Sequence, residues 1–180
     1  FGLLPDTLDF KFYRFFVQHD IEVTPDPLRP DARLIAEGVA MAVNRAVDSG
    51  KPVRIKLNTI RLGTDQWQQY EVKFDVPGRR VGVSYGPVVD TGRNPMPGTE
   101  PEKRKTAWAP LLAGIKLEYE AATSVDILDG PSFAMDPIPD GRVVPRFIPW
   151  HRQWSHSLAA ATICALTGWL AWGPLAAAII

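Results

Sequence analysis

The chain has 180 residues, a formal net charge of +0 and an isoelectric point near 7.0. With no net field, it lacks the electrostatic footprint that draws proteins toward nucleic acid or anionic lipid. Its single cysteine, Cys164, excludes an internal disulfide and a thiolate metal cluster.

The mean hydropathy of −0.08 averages a polar middle with an apolar C-terminal run. Seventeen prolines and 14 glycines predict many turns and few long helices before residue 145. The first residue is Phe1 rather than Met, and both ends read as mid-element. A piece of a longer protein is therefore expected, and the lack of a targeting signal carries no information.

Phe1 to Leu4 reads as the end of an apolar helix stopped by Pro5. Asp6 then caps a short helix reaching His19, loaded with Phe10, Phe12, Tyr13, Phe15 and Phe16. Aromatic rings interleaved with Lys11 and Arg14 suit a membrane interface. An ordinary amphipathic core helix is the alternative. Thr24 to Pro30 is a proline-punctuated linker. Asp31 is placed to cap a helix running to about Ser49, with Leu34, Ile35, Val39, Ala42 and Ala46 at helical spacing and Gly50 as its stop.

The apolar period then falls from 3.6 to 2. Val53, Ile55 and Leu57 mark one strand, Tyr70 to Val76 a second, and Val81 to Tyr85 a third, with a hairpin turn at Pro77 to Arg80. Val88 to Ala107, rich in proline and charge, reads as a mobile loop. Ile115, Leu117 and Tyr119 predict a fourth strand, and Val125, Ile127 and Leu128 a fifth. Asp136 to Arg146 returns the chain through prolines.

From Ser157 to Ile180 there is no charged residue. About 20 apolar residues suffice for a helix to cross the ~30 Å hydrocarbon core of a bilayer. Gly173-Pro174 either kinks that helix or turns the chain. The expected organisation is a membrane-edge segment over 1–23, an inserted soluble domain over 24–145 and a second membrane segment over 146–180. The fold class is then α+β, with transmembrane helical segments at both ends and one helix against a mainly antiparallel sheet between them.

Chemistry-bearing residues collect at those ends. His151 and His156 are five apart, so on an ideal helix their rings point ~140° from each other. They converge only if His151 precedes the helix and His156 sits in its first turn, a boundary consistent with Pro149. Interfacial histidines beside Trp150 and Trp154 are the alternative. Asp6 and Asp9 are three apart and share a face if helical. Carboxylate and imidazole donors together suit Zn²⁺, Mn²⁺ or Fe²⁺ better than Ca²⁺. The bland reading is that Asp6 caps a helix and Asp9 faces solvent.

Leu4-Pro5-Asp6 with Asp9, followed by His151-Arg152-x-x-Ser155-His156-Ser157, resembles the YdjM-like family of inner-membrane metal-dependent hydrolases. The resemblance covers about the first 20 and last 35 residues. It departs from the family in joining the two motifs by about 110 unmatched residues rather than a short loop. It implies a bacterial inner-membrane protein, multi-pass at full length, with further ligands outside this chain.

It also implies a divalent cation, Zn²⁺ first and Mn²⁺ or Fe²⁺ next, held by Asp6, His151 and His156, with Asp9 as a fourth ligand or a general base. Binding to such an ion lowers the pKa of water from ~15.7 to about 7. Arg152 would hold a phosphate or carboxylate through its planar fork. The expected partners are the lipid bilayer and a lipid ester or phosphoester substrate, with no nucleic acid; nothing in the sequence names a protein partner. The competing expectation is a membrane-anchored binding or sensor protein whose inserted domain carries the function. A third is a soluble domain with a buried C-terminal hairpin.

Overall fold

The computed structural model describes residues 18–100, 106–118, 123–125 and 130–148, with residues 162–163, 165–167 and 169–170. The chain divides into two compact units. One is His19–Ile148, and the other joins Phe1–Gln18 to Pro149–Ile180.

The His19–Ile148 unit runs β1 (Ile21–Val23), α1 (Ala32–Ser49), β2 (Val53–Leu57), β3 (Ile60–Gly63), β4 (Gln66–Asp75), β5 (Arg80–Val89), β6 (Thr106–Pro110), β7 (Gly114–Ile115), β8 (Thr123–Val125), β9 (Ser132–Pro137) and β10 (Arg142–Ile148). One sheet has the order β1-β2-β9-β10-β7, and the other β3-β4-β5-β6 with β8 also on β4. In the first sheet the β1–β2 and β10–β7 pairs are parallel and the others antiparallel. In the second, β3 and β8 take successive stretches of the same β4 edge, at Gln66–Gln68 and Tyr70–Val72.

α1 forms where its periodicity and caps agree. Asp31 Oδ1 accepts from Arg33 N at 2.8 Å, and Gly50 closes the helix in the left-handed region at φ 62°. The helix packs on β2 and β9 of one sheet and on β5 and β6 of the other. Ile35, Val39, Val43 and Ala46 thereby join Ile55, Leu57, Met135, Val81 and Val83 in one core. Each of the Ile, Val, Leu and Met side chains among them contributes about 1.5–3 kcal/mol by leaving water. Leu34, counted in the helix's apolar stripe, is instead 63% exposed.

The expected fold class is corrected on two points. The unit is β-rich, with ten strands in two sheets among the described residues rather than one sheet beside a helix. No helix among the described residues is long and apolar enough to cross a membrane. α1 has the length but carries Arg33, Glu37, Arg45 and Asp48, which makes it an amphipathic cover for the sheets. The expected membrane helices fall largely on residues outside those described. Of the C-terminal run, residues 162–163, 165–167 and 169–170 are helical, with Ile163, Leu166, Trp169 and Leu170 exposed.

Loops also differ from expectation. Residues 90–100 form hydrogen-bonded turns rather than a loose loop, because Met96 N donates to Val88 O at 2.8 Å and Asn94 N to Asp90 Oδ1 at 2.8 Å. Val88 and Val89 belong to β5, while Thr106 and Ala107 open β6. The fourth expected strand shrinks to Gly114–Ile115, and Tyr119, Ile127 and Leu128 lie outside the described residues. Asp136 to Arg146 is mostly a β9–β10 hairpin.

Two buried tyrosines give the unit an alkaline limit. Burial, helped by Tyr85, pushes the Tyr70 phenol well above its ordinary range; its Oη donates to Asn58 O at 2.7 Å. Burial, with the Asp31 carboxylate second, pushes Tyr85 up to about 12. In the unfolded chain both ionise near 10. The folded state then holds more protons than the unfolded one, so stability falls as pH rises past about 10. Tyr70 removes about 1.4 kcal/mol per pH unit, and the partly solvated Tyr85 less. Absorbance at 295 nm should show both phenols ionising with unfolding; their titration near pH 10 in the folded chain would contradict this.

Candidate functional site

The residues expected to carry chemistry, Asp6, Asp9, His151, Arg152 and His156, lie outside the described residues, as do Ser155 and Ser157. Among the described residues, no group of three or more His, Cys, Asp or Glu could hold a metal ion. The two ends of the chain that carry the expected residues, Phe1–Gln18 and Pro149–Ile180, belong to one compact unit.

At the start of the described unit the chain is tied to the first sheet. Asp20 N donates to Arg54 O at 2.8 Å, and Arg54 N donates back to Asp20 Oδ2 at 2.8 Å. One residue earlier, His19 Nε2 lies 2.8 Å from Ser132 Oγ on β9. Ser132 is itself the cross-strand partner of Ile148, the last residue of β10, and of Lys56 on β2. The His19 ring thus reaches from the β1 edge to the strand whose Ser132 pairs with Ile148.

The surroundings of this joint are closed and polar. Ser132 is 2% and Lys56 3% exposed, and Lys56 Nζ donates to Gly130 O at 2.6 Å. Beyond it, Arg146 pairs with Asp136, which holds the guanidinium pKa above its ordinary value. Phe133 and Phe147 meet edge-on at 6.1 Å between centroids. His19 and Ser132 are 113 positions apart and belong to no motif. Only the pairing of β9 with β2 and β10 reveals them together.

Among the described residues, two clefts and a flat shelf stand out on the surface. A cleft of ≈ 630 Å³ between α1 and β6 is lined by Met41, Asn44, Arg45 and Pro110. A second, of ≈ 650 Å³, has Asp65, Gln66, Asp90 and Met96 on its wall. Its carboxylates serve the turns around them: Asp65 accepts from Thr91 N and Oγ1, and Asp90 from Asn94. Those Asn94 bonds hold the Asp90 carboxyl below the usual range.

On the second sheet, Trp108 lies across Gly82 with Arg80 4.2 Å and Lys73 5.3 Å from its ring centroid. A Cβ at position 82 would come within 2.7 Å of the indole, so this flat seat requires glycine. Arg80 is also bound to Asp75 at 2.7 Å, which holds that carboxyl below its usual range. These groups satisfy one another and leave no convergent acid, base and nucleophile among the described residues of the shelf. No protein family, curated protein or solved structure matches the chain.

Proposed function

We propose that this chain is a metal-dependent hydrolase working at a membrane surface, with Asp6, Asp9, His151 and His156 as donors to one divalent cation. The observation that carries this reading is the division of the chain. The two stretches bearing these four residues fall in one compact unit, although more than a hundred residues of β-rich unit separate them in sequence.

Two carboxylates and two imidazoles fit Zn²⁺ first, then Mn²⁺ or Fe²⁺. When bound, such a cation supplies a water of near-neutral acidity. Asp9 then orients an imidazole N–H or accepts a proton as general base. Arg152 holds a phosphate or carboxylate through its two-pronged guanidinium. Ile163, Leu166, Trp169 and Leu170, exposed in the same unit, favour a lipid neighbourhood and an amphiphilic ester or phosphoester substrate.

The test is hydrolysis by the purified full chain of phospholipid presented in vesicles, beside soluble chromogenic esters and phosphoesters. Chelation should abolish turnover of the amphiphilic substrate, and added Zn²⁺ should restore it. Absence of turnover on every substrate with Zn²⁺, Mn²⁺ and Fe²⁺ each supplied would refute the proposal.

A further inference from the structure

We infer that the free edge of β6 is a self-pairing surface. Two copies of this chain join β6 to β6 about a two-fold axis at Trp108, with the Met41 flank of α1 beside its counterpart. The inference is independent of the hydrolase reading and lies within the His19–Ile148 unit.

The register identifies which groups of β6 are free. β6 ends its sheet, with β5 on one side only. Leu111 N donates to Arg79 O at 2.8 Å, so Val81↔Ala109 and Val83↔Ala107, two and four residues on, are the hydrogen-bonded pairs of this antiparallel ladder. Thr106, Trp108 and Pro110 alternate with them and turn their peptide groups away from β5. No other strand among the described residues receives those groups. Pro110, which has no N–H, therefore costs the β5 ladder nothing. The strand Thr106–Pro110 carries no charge, whereas edges guarded against pairing carry lysines or inward-pointing charges. Its side chains leave the edge open as well. Trp108 leans over Gly82 on β5, where an added Cβ would meet the indole at 2.7 Å, so the ring covers its own sheet.

A two-fold axis fits this edge. With Trp108 on the axis, its N–H and C=O exchange two bonds with the second copy. Each Thr106 N then donates to the Pro110 O of the other copy. Both β6 edges are used, so assembly closes at two chains.

α1 supplies the second contact. It packs on β5 and β6, which puts its axis about one strand spacing, ~5 Å, from the two-fold line. The two helices then run antiparallel ~10 Å apart, an ordinary packing distance. The flank of α1 that borders Ala109 and Pro110 exposes Met41 at 60%, with Glu37 and Arg45 four residues to either side. An antiparallel pair centred on Met41 sets Arg45 opposite the Glu37 of the second copy, and the reverse. Glu37 uses only Oε1 to hold Arg33 at 2.8 Å, and Arg45 has no ion pair among the described residues. The charges of this flank thus complement themselves, which favours a second copy over a foreign strand.

Sedimentation equilibrium of the purified full chain in density-matched detergent, across a wide range of concentration, tests the pairing. The wild type should be a reversible dimer. Thr106→Pro removes an N–H that β5 does not use, and should weaken dimerisation on the order of tenfold or more for the two bonds lost. The ionisation of Tyr70 and Tyr85 should stay coupled to unfolding in that variant, which shows that the fold survives. Glu37→Arg and Arg45→Glu should each weaken the dimer, and the two together should restore most of it. Met41→Cys in a Cys164→Ser background should cross-link between copies when treated with oxidised glutathione. A wild type that sediments as a monomer throughout, whether or not it binds an extended peptide, would overturn the inference. So would a dimer that neither Thr106→Pro nor the single charge reversals weaken.

Discussion

Gly130→Ala is expected to cost at least ~3 kcal/mol of stability, enough to remove much of the margin of an ordinary domain. An added Cβ would lie 1.7 Å from Leu57 O and 2.8 Å from Leu57 C. Both obstacles are backbone, so no rotamer change relieves them. The segment must move away from β2, which breaks the bond from Leu57 N to Pro131 O at 3.0 Å. It also removes the carbonyl that receives Lys56 Nζ at 2.6 Å, on a cation only 3% exposed. Losing a partner of a buried charge costs more than losing a neutral hydrogen bond. Urea unfolding of the variant measures the loss, and an effect under ~1 kcal/mol would show that the strands separate more easily than this packing allows.

His151→Ala is expected to lower kcat by at least ~100-fold, since even groups that only orient a metal ligand are worth 10–100-fold. The β-rich unit should be untouched, with the same coupled ionisation of Tyr70 and Tyr85 in alkali, because those phenols are buried within His19–Ile148. Steady-state kinetics beside a 295 nm titration separates the two effects. Loss of the tyrosine signature together with activity would mean that His151 supports the fold instead.

Parts of the fold were legible where several local signals coincide. α1 combined helical spacing with an aspartate cap and a glycine stop, and the β4–β5 hairpin combined strict alternation with a Pro-Gly turn. The remaining strands carried one signal or none. β1 has three residues, too few for alternation to register, and its place comes from parallel pairing with β2; β7 keeps only Ile115 of the alternating residues that predicted it, and pairs parallel with β10.

β10 was concealed by Pro145, which reads as a breaker. It is tolerated because Val143 O faces β7, accepting from Lys116 N at 2.9 Å, and Pro145, two residues on, faces the same side after β7 has ended. No ladder donor is lost there. Division into two sheets was equally hidden, because no alternation pattern states which strands become neighbours.

The candidate ligands stood out in the sequence because carboxylates and imidazoles are conspicuous beside apolar runs. The joint between His19 and Ser132 did not, since a half-buried histidine and a serine look like ordinary loop residues until β9 is placed between β2 and β10.

The central claim is that the two ends of the chain share one cation. It is tested most directly by counting metal per chain in the purified protein after exhaustive dialysis, by mass spectrometry of the elements. The wild type should retain about one Zn²⁺ per chain, and Asp6→Ala, His151→Ala and His156→Ala should each retain almost none. A metal-free wild type, or a stoichiometry that survives all three substitutions, would contradict the account.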